Sequence, residues 1–220
     1  MDKLLRFFCA VFLYCMACTS AQALEGNVAA GARKNAMCIG CHGIAGYHAS
    51  FPNVYRVPKI SGQNAAYIAS ALAAYKTGAR QHPTMRGVAD GLSDQDMADL
   101  AAYYSTSAPT SAVAAGAAKS PEGSAAAMAL LAKGGCTGCH GANFSKPIDP
   151  SYPKIAGQNN DYLYAALRAY QAEGKNLVGR KQPVMNGMVK QFTAAELKVM
   201  ANYIGGLPGE LQTIQSSHAR

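Results

Sequence analysis

The chain is written twice, and that repetition limits its fold more than any other feature of the 220 residues. Cys38-Ile39-Gly40-Cys41-His42-Gly43 returns 98 positions later as Cys136-Thr137-Gly138-Cys139-His140-Gly141. Pro58-Lys59-Ile60-Ser61-Gly62-Gln63 returns after 95 as Pro153-Lys154-Ile155-Ala156-Gly157-Gln158, which also pairs Tyr67 with Tyr162 and Tyr75 with Tyr170. Met85 and Tyr103 return after 100, as Met185 and Tyr203. The order never changes, and a drifting offset is what loops of unequal length produce between two copies of one domain.

Each copy parses into helices, and no alternation typical of strands stands out, so the expected fold is all-α. Helices are expected over Gly26 to Ala36, Asn64 to Lys76, Glu122 to Lys133 and Asn159 to Glu173. Ile68, Leu72 and Tyr75 are spaced i, i+4, i+7, and Leu163, Leu167 and Tyr170 repeat that spacing, so one face of each helix is expected to be buried. Ser93 with Asp96 and Thr193 with Glu196 have the capping-box spacing, and Met97, Leu100, Ala101 and Tyr104 match Leu197, Met200, Ala201 and Ile204 along one stripe. Between the copies the residues are nearly all small or polar and read as a linker. The expected division is a leader over 1–23, a first domain over 24–106, a linker over 107–121 and a second domain over 122–220.

Half the residues are hydrophobic, but forty-two are alanine, phenylalanine occurs six times and tryptophan is absent. An alanine methyl contributes little at roughly 25 cal/mol per Å² of buried apolar area, so each small domain needs something else in its interior. Disulfides, a metal or a prosthetic group could supply it.

The first two dozen residues read as a secretory signal: Lys3 and Arg6, an apolar run from Leu4 to Cys18, and a small-x-small site at Ala21-Gln22-Ala23. That run is short of the ~20 residues a membrane span needs, and export is the expectation. Cleavage would remove Cys9, Cys15 and Cys18 and leave four cysteines in two Cys-x-x-Cys pairs. Residues 24–107 hold seven basic and five acidic side chains, and 121–220 hold ten and six. This modest, dispersed excess lacks the basic clusters of a nucleic-acid binder.

Cys-x-x-Cys-His is the attachment signature of c-type haem. Cys38 and Cys41, like Cys136 and Cys139, stand one helical turn apart, where two thiols can form thioethers with a haem's vinyl groups. His42 and His140 follow directly and are placed to ligate iron. A zinc site built from all four cysteines would leave the histidines and the duplication unexplained, and disulfides within each pair would staple only tiny loops. Met85 lies 43 residues after His42 and Met185 lies 45 after His140, each two residues after a proline. A thioether sulfur opposite a histidine suits low-spin electron-transfer haem, so these methionines are the expected sixth ligands. Met188 has Val88 as its counterpart in the other copy and is expected to pack near the haem edge. His82 is the rival ligand in the first site, and His48 and His218 are expected to face solvent.

The full arrangement adds Leu92-Ser93-Asp94-Gln95-Asp96-Met97-Ala98-Asp99-Leu100-Ala101-Ala102-Tyr103-Tyr104 to the blocks above. From about Gly26 to Leu207 it resembles the cytochrome c4 family of exported bacterial dihaem proteins. The resemblance implies two class I cytochrome c folds about a pseudo-twofold axis with haem propionates near the interface, and two covalently bound haem c groups. It implies His42 and Met85 as axial ligands of the first iron, and His140 and Met185 of the second. It also implies a proline carbonyl accepting from the ligand histidine's other nitrogen, best matched by Pro58 and Pro153, with Pro52 as the rival in the first copy. The expected role is a periplasmic one-electron carrier, not an enzyme, at most peripheral to the membrane. Its expected partners are a quinol-oxidising cytochrome bc complex and a haem-copper oxidase or other terminal reductase. A dihaem peroxidase, or a cytochrome subunit of a larger dehydrogenase or reductase, is the alternative.

Overall fold

In both halves a short cysteine-bearing helix sits between an entry helix and a closing helix that pack on each other. The computed structural model describes residues 24–108, 124–172 and 177–214. The leader, His218 and nearly all of the expected linker lie outside them. The first half runs α1 (Val28–Lys34), α2 (Ala36–His42), β1 (His48–Ala49), β2 (Tyr55–Arg56), α3 (Ala65–Thr77), α4 (Pro83–Asp90) and α5 (Asp94–Thr106). The second runs α6 (Ser124–Lys133), α7 (Cys136–His140), α8 (Asn160–Gln171), α9 (Pro183–Val189) and α10 (Ala194–Gly206).

The closing helices start where the sequence places their caps. Ser93 and Asp96 satisfy each other's backbone N–H groups at α5, and Thr193 and Glu196 do the same at α10. The stripes on both helices are buried, from Met97 to Tyr104 and from Leu197 to Ile204. On α3 the expected face, Ile68, Leu72 and Tyr75, is also buried. On α8 only Leu163 of the expected three is fully buried; Ala166 and Ala169 complete the buried line while Leu167 and Tyr170 are half-buried. Leu167 and Tyr170 still pack against the core of their own half, while Asp161 and Tyr162 of the same helix reach across to the other half.

α1 crosses α5 at Gly31, where a Cβ would lie 2.1 Å from the Asp99 carbonyl oxygen. Only a residue without a side chain permits that approach. Asp99 is buried beneath the crossing, accepting from the Asn27 backbone N–H at 2.8 Å and from the Lys34 ammonium at 2.6 Å. The strand-free expectation needs one correction. β1 and β2 form a two-residue antiparallel pair in the loop between α2 and α3, with His48 exposed, and two residues are too few for alternation to be visible in sequence.

Each half has its own core, one around Leu72, Met97, Leu100 and Tyr104, the other around Phe144, Leu163, Phe192, Leu197 and Met200. The halves meet through bonds that come in exchanged pairs. The Lys59 N–H donates to Gln158 Oε1 and the Lys154 N–H to Gln63 Oε1, both at 2.9 Å. Gln63 Nε2 donates to the Lys154 carbonyl at 2.9 Å and Gln158 Nε2 to the Lys59 carbonyl at 2.8 Å. Lys59 Nζ reaches the Gly157 carbonyl at 2.7 Å and Lys154 Nζ the Gly62 carbonyl at 2.9 Å. Repeat-related residues exchanging the same bonds define a pseudo-twofold axis. The Pro-Lys-Ile-x-Gly-Gln block is therefore the interface, a role that the sequence reading did not assign to it. Outside the exchanged pairs, the Arg56 side chain meets Asp161 at 3.0 Å, and the C-terminal segment crosses back so that the Gln212 N–H donates to the Ser61 carbonyl at 3.0 Å.

Candidate haem sites

Cys38, Cys41 and His42 share α2, and Cys136, Cys139 and His140 share α7. A spacing of three residues on a helix sets the two sulfurs of each pair on neighbouring turns of one face. Cys38 and Met85 border the same core, and Cys136 and Met185 border the other, so each motif and the distant methionine converge. Cys38, Cys41, Cys136 and Cys139 form no disulfide with one another, and burial pushes the thiols of Cys38 and Cys136 up. Among the described residues no group of three or more histidine, cysteine and acidic side chains gathers to hold a bare metal ion.

The imidazoles are oriented by backbone. His42 Nδ1 lies 2.8 Å from the Pro58 carbonyl and His140 Nδ1 lies 3.2 Å from the Pro153 carbonyl. A carbonyl can only accept, so the proton is on Nδ1 and the Nε2 lone pair is free to bind a metal. Burial lowers the pKa of both histidines, which keeps the neutral, ligating form. The carbonyl that serves His42 is that of Pro58, four residues before Gly62. Gly62 has φ +83° and its repeat partner Gly157 has φ +70°, and the turn through this block needs glycine in both copies.

The methionine helices are built alike. Proline opens each, and the third helical residue is the methionine. Gln182 Oε1 accepts from the Met185 N–H at 2.7 Å, and in the same place His82 Nδ1 accepts from the Met85 N–H at 3.4 Å. His82 is thus the cap of α4, which explains why its repeat partner is glutamine. The Met188 methyl lies beside Gly135, next to Cys136.

Among the described residues the buried Arg80 Nε at the interface has no hydrogen-bond partner, and Tyr104 Oη lies buried beside the Cys38 thiol. Arg80 and its counterpart Arg180 face each other in an antiparallel bridge, and neither is in an ion pair among the described residues. Paired thiols, a neutral imidazole with its lone pair free, a thioether and buried cations without anions fit an iron porphyrin bearing carboxylates.

The sequence matches the cytochrome c family over residues 28–107 and again over 124–208. The chain belongs to that family. Its relatives include cytochrome c4 of Azotobacter vinelandii, 32% identical over 198 residues that cover 83% of this chain and 90% of the relative. A thiosulfate dehydrogenase electron acceptor of Stutzerimonas stutzeri is 29% identical, covering 89% and 91%. The crystal structure of reduced recombinant cytochrome c4 from Pseudomonas stutzeri superposes with a TM-score of 0.61 at 28% identity, over 83% of this chain and all of that one. This cytochrome is a tandem duplication of the cytochrome c fold, with two covalently attached haem c groups and their iron, and it is an electron carrier.

The repeat included Gln63 and Gln158 without giving them a role, and Arg80 and Arg180 were not singled out. The signal for the arginines was present: Gly78-Ala79-Arg80 stands five residues before Met85, and Val178-Gly179-Arg180 stands five before Met185.

Proposed function

We propose that this cytochrome is a periplasmic one-electron carrier that takes electrons from a quinol-oxidising cytochrome bc complex and delivers them to a haem-copper oxidase or another terminal reductase. Cys38 and Cys41 attach the first haem, and Cys136 and Cys139 the second. His42 with Met85, and His140 with Met185, fill the two axial positions of each iron. With both positions taken by protein, neither iron offers a substrate an open site, which favours electron transfer over peroxidase chemistry. The leader at 1–23 directs export and is removed, and the two domains are joined by the linker at 107–121. Among the described residues no helix is long and apolar enough to cross a membrane.

The observation that carries the ligand assignment is that both histidines spend Nδ1 on a proline carbonyl while both methionines hold the same capped position after a helix-opening proline. The ferric protein is expected to show the near-red absorption band of methionine-ligated haem. Met85→Ala and Met185→Ala should each remove about half of it, and the double variant all of it. A band untouched by both substitutions would overturn the assignment.

A second donor is favoured by the relatives named as thiosulfate dehydrogenase electron acceptors, two of which span most of this chain. In that reading the protein receives electrons from a sulfur-oxidising dehydrogenase. Reduction of the ferric protein by a thiosulfate dehydrogenase with thiosulfate, compared with reduction by a bc complex with quinol, separates the two.

A further inference from the structure

The matched stripes of the two closing helices differ at one buried position in a way that changes its chemistry. Tyr104 on α5 and Ile204 on α10 stand 100 residues apart at the same place in the repeat, and each is 5% exposed. Their neighbours agree, since Ala101 matches Ala201 and Tyr103 matches Tyr203. Tyr104 belongs to the core that Cys38 borders, and Ile204 to the core that Cys136 borders. The first interior therefore holds a phenol where the second holds a hydrocarbon.

A hydroxyl buried without an acceptor costs free energy, so the partner of this one matters. Among the described residues no nitrogen or oxygen acceptor reaches Tyr104 Oη. The group beside it is the Cys38 sulfur, within its hydrogen-bond reach. Burial holds the phenol's pKa far above its ordinary value, so the oxygen keeps its proton and has it to donate. The Tyr103 ring meets the Tyr104 ring edge-on with centroids 5.0 Å apart, which fixes the direction of the hydroxyl. A thioether sulfur carries no proton and keeps its lone pairs, so attachment of haem at Cys38 leaves the phenol its acceptor. Ile204 has no donor to offer Cys136.

We infer that the Tyr104 hydroxyl donates a hydrogen bond to the Cys38 sulfur and thereby raises the reduction potential of the first haem alone. This deepens the carrier reading above and rests on its assignment of Cys38 to the first haem. The O–H dipole turns its positive end toward a sulfur that is bonded to the porphyrin, and in a buried site that dipole is little screened. It favours the reduced state, which carries one positive charge fewer. Hydrogen bonding just outside the ligand set is one of the levers by which a protein tunes a haem. The effect needs neither axial ligand nor the bonds between the halves.

Tyr104→Phe removes the oxygen and keeps the ring. In the Met185→Ala background of the mature dihaem protein the near-red band reports the first haem alone, and its midpoint is read by potentiometric titration. Tyr104→Phe is expected to lower that midpoint, changing the oxidised-to-reduced ratio at fixed potential by roughly two- to tenfold, the net strength of one hydrogen bond. In the Met85→Ala background the band reports the second haem, and the same substitution should leave its midpoint in place. Tyr103→Phe, on the neighbouring phenol, should move neither. The inference is overturned if Tyr104→Phe leaves the first midpoint unmoved or raises it, if it shifts the second as well, or if Tyr103→Phe has the same effect. Absence of the band from the unsubstituted protein would sink the ligand reading, whereas an intact band with an unmoved first midpoint sinks the hydrogen bond alone.

Discussion

Gln182 and His82 hold one structural position with unlike side chains, and the difference shows what that position requires. It needs an acceptor for the N–H of the methionine two residues beyond the proline, and an amide oxygen or an imidazole nitrogen will serve. Replacing an N-cap by alanine costs roughly 0.5–2 kcal/mol, so Gln182→Ala, which loses the shorter bond, should lower the thermal midpoint more than His82→Ala. Neither should abolish the near-red band; its loss in His82→Ala would return His82 to candidacy as a ligand. Gly31 is a second position whose importance is invisible without its neighbour. A methyl there meets the Asp99 carbonyl, and Gly31→Ala is expected to cost about 1–3 kcal/mol in denaturant unfolding, the range for overpacking. A change below 0.5 kcal/mol would mean that the helices part without strain.

At the scale of elements, the crossing of α1 and α5 is also an acid-sensitive joint. The Lys34 ammonium, the Asn27 N–H and the Gln95 side chain hold the Asp99 carboxyl down to about 2. Lys34 and Ser93 likewise keep Asp96 well below the usual carboxylate range. A group whose folded pKa is depressed stabilises the fold above its unfolded pKa of about 3.9 and loses that contribution as pH falls toward the folded value. The contribution of this joint should therefore be constant from neutrality to about pH 5 and be lost toward pH 2. In Asp99→Asn the thermal midpoint at neutral pH should be lower and the decline shallower. An unchanged slope would show that the joint does not titrate with folding. The closing helices were legible because stripe and capping box agree at both, and α3 and α8 because of their apolar spacing. The division of α8 between core and interface was not, since periodicity reports a buried face without saying what buries it.

For the whole molecule, the side-chain amides of Gln63 and Gln158 act as two extra peptide groups that pair the halves. Each is 4% exposed and bonds both the N–H and the carbonyl of the lysine opposite. Truncation strands buried backbone groups, a loss of roughly 1–3 kcal/mol per unsatisfied group. Gln63→Ala and Gln158→Ala are expected to split denaturant unfolding into two transitions, one per haem domain, where the parent protein unfolds in one. A single unchanged transition would show that the halves are independent already.

Local chemistry determined much of this protein without any fold. Two Cys-x-x-Cys-His motifs, two later methionines and two capping boxes act over a few residues, so the sequence alone identified the cofactor, the helical domains and their number. The shortage of large apolar side chains pointed the same way, toward a bound group that completes each interior. What the tertiary structure decided is which groups meet once the chain is folded. It selected Pro58 as the partner of His42, turned His82 from rival ligand into helix cap, and made the Pro-Lys-Ile-x-Gly-Gln block an interface. It also set Arg80 against Arg180. A repeated motif reveals that a position matters in both copies, but a hydrogen bond between the copies exists only once the two halves are brought face to face.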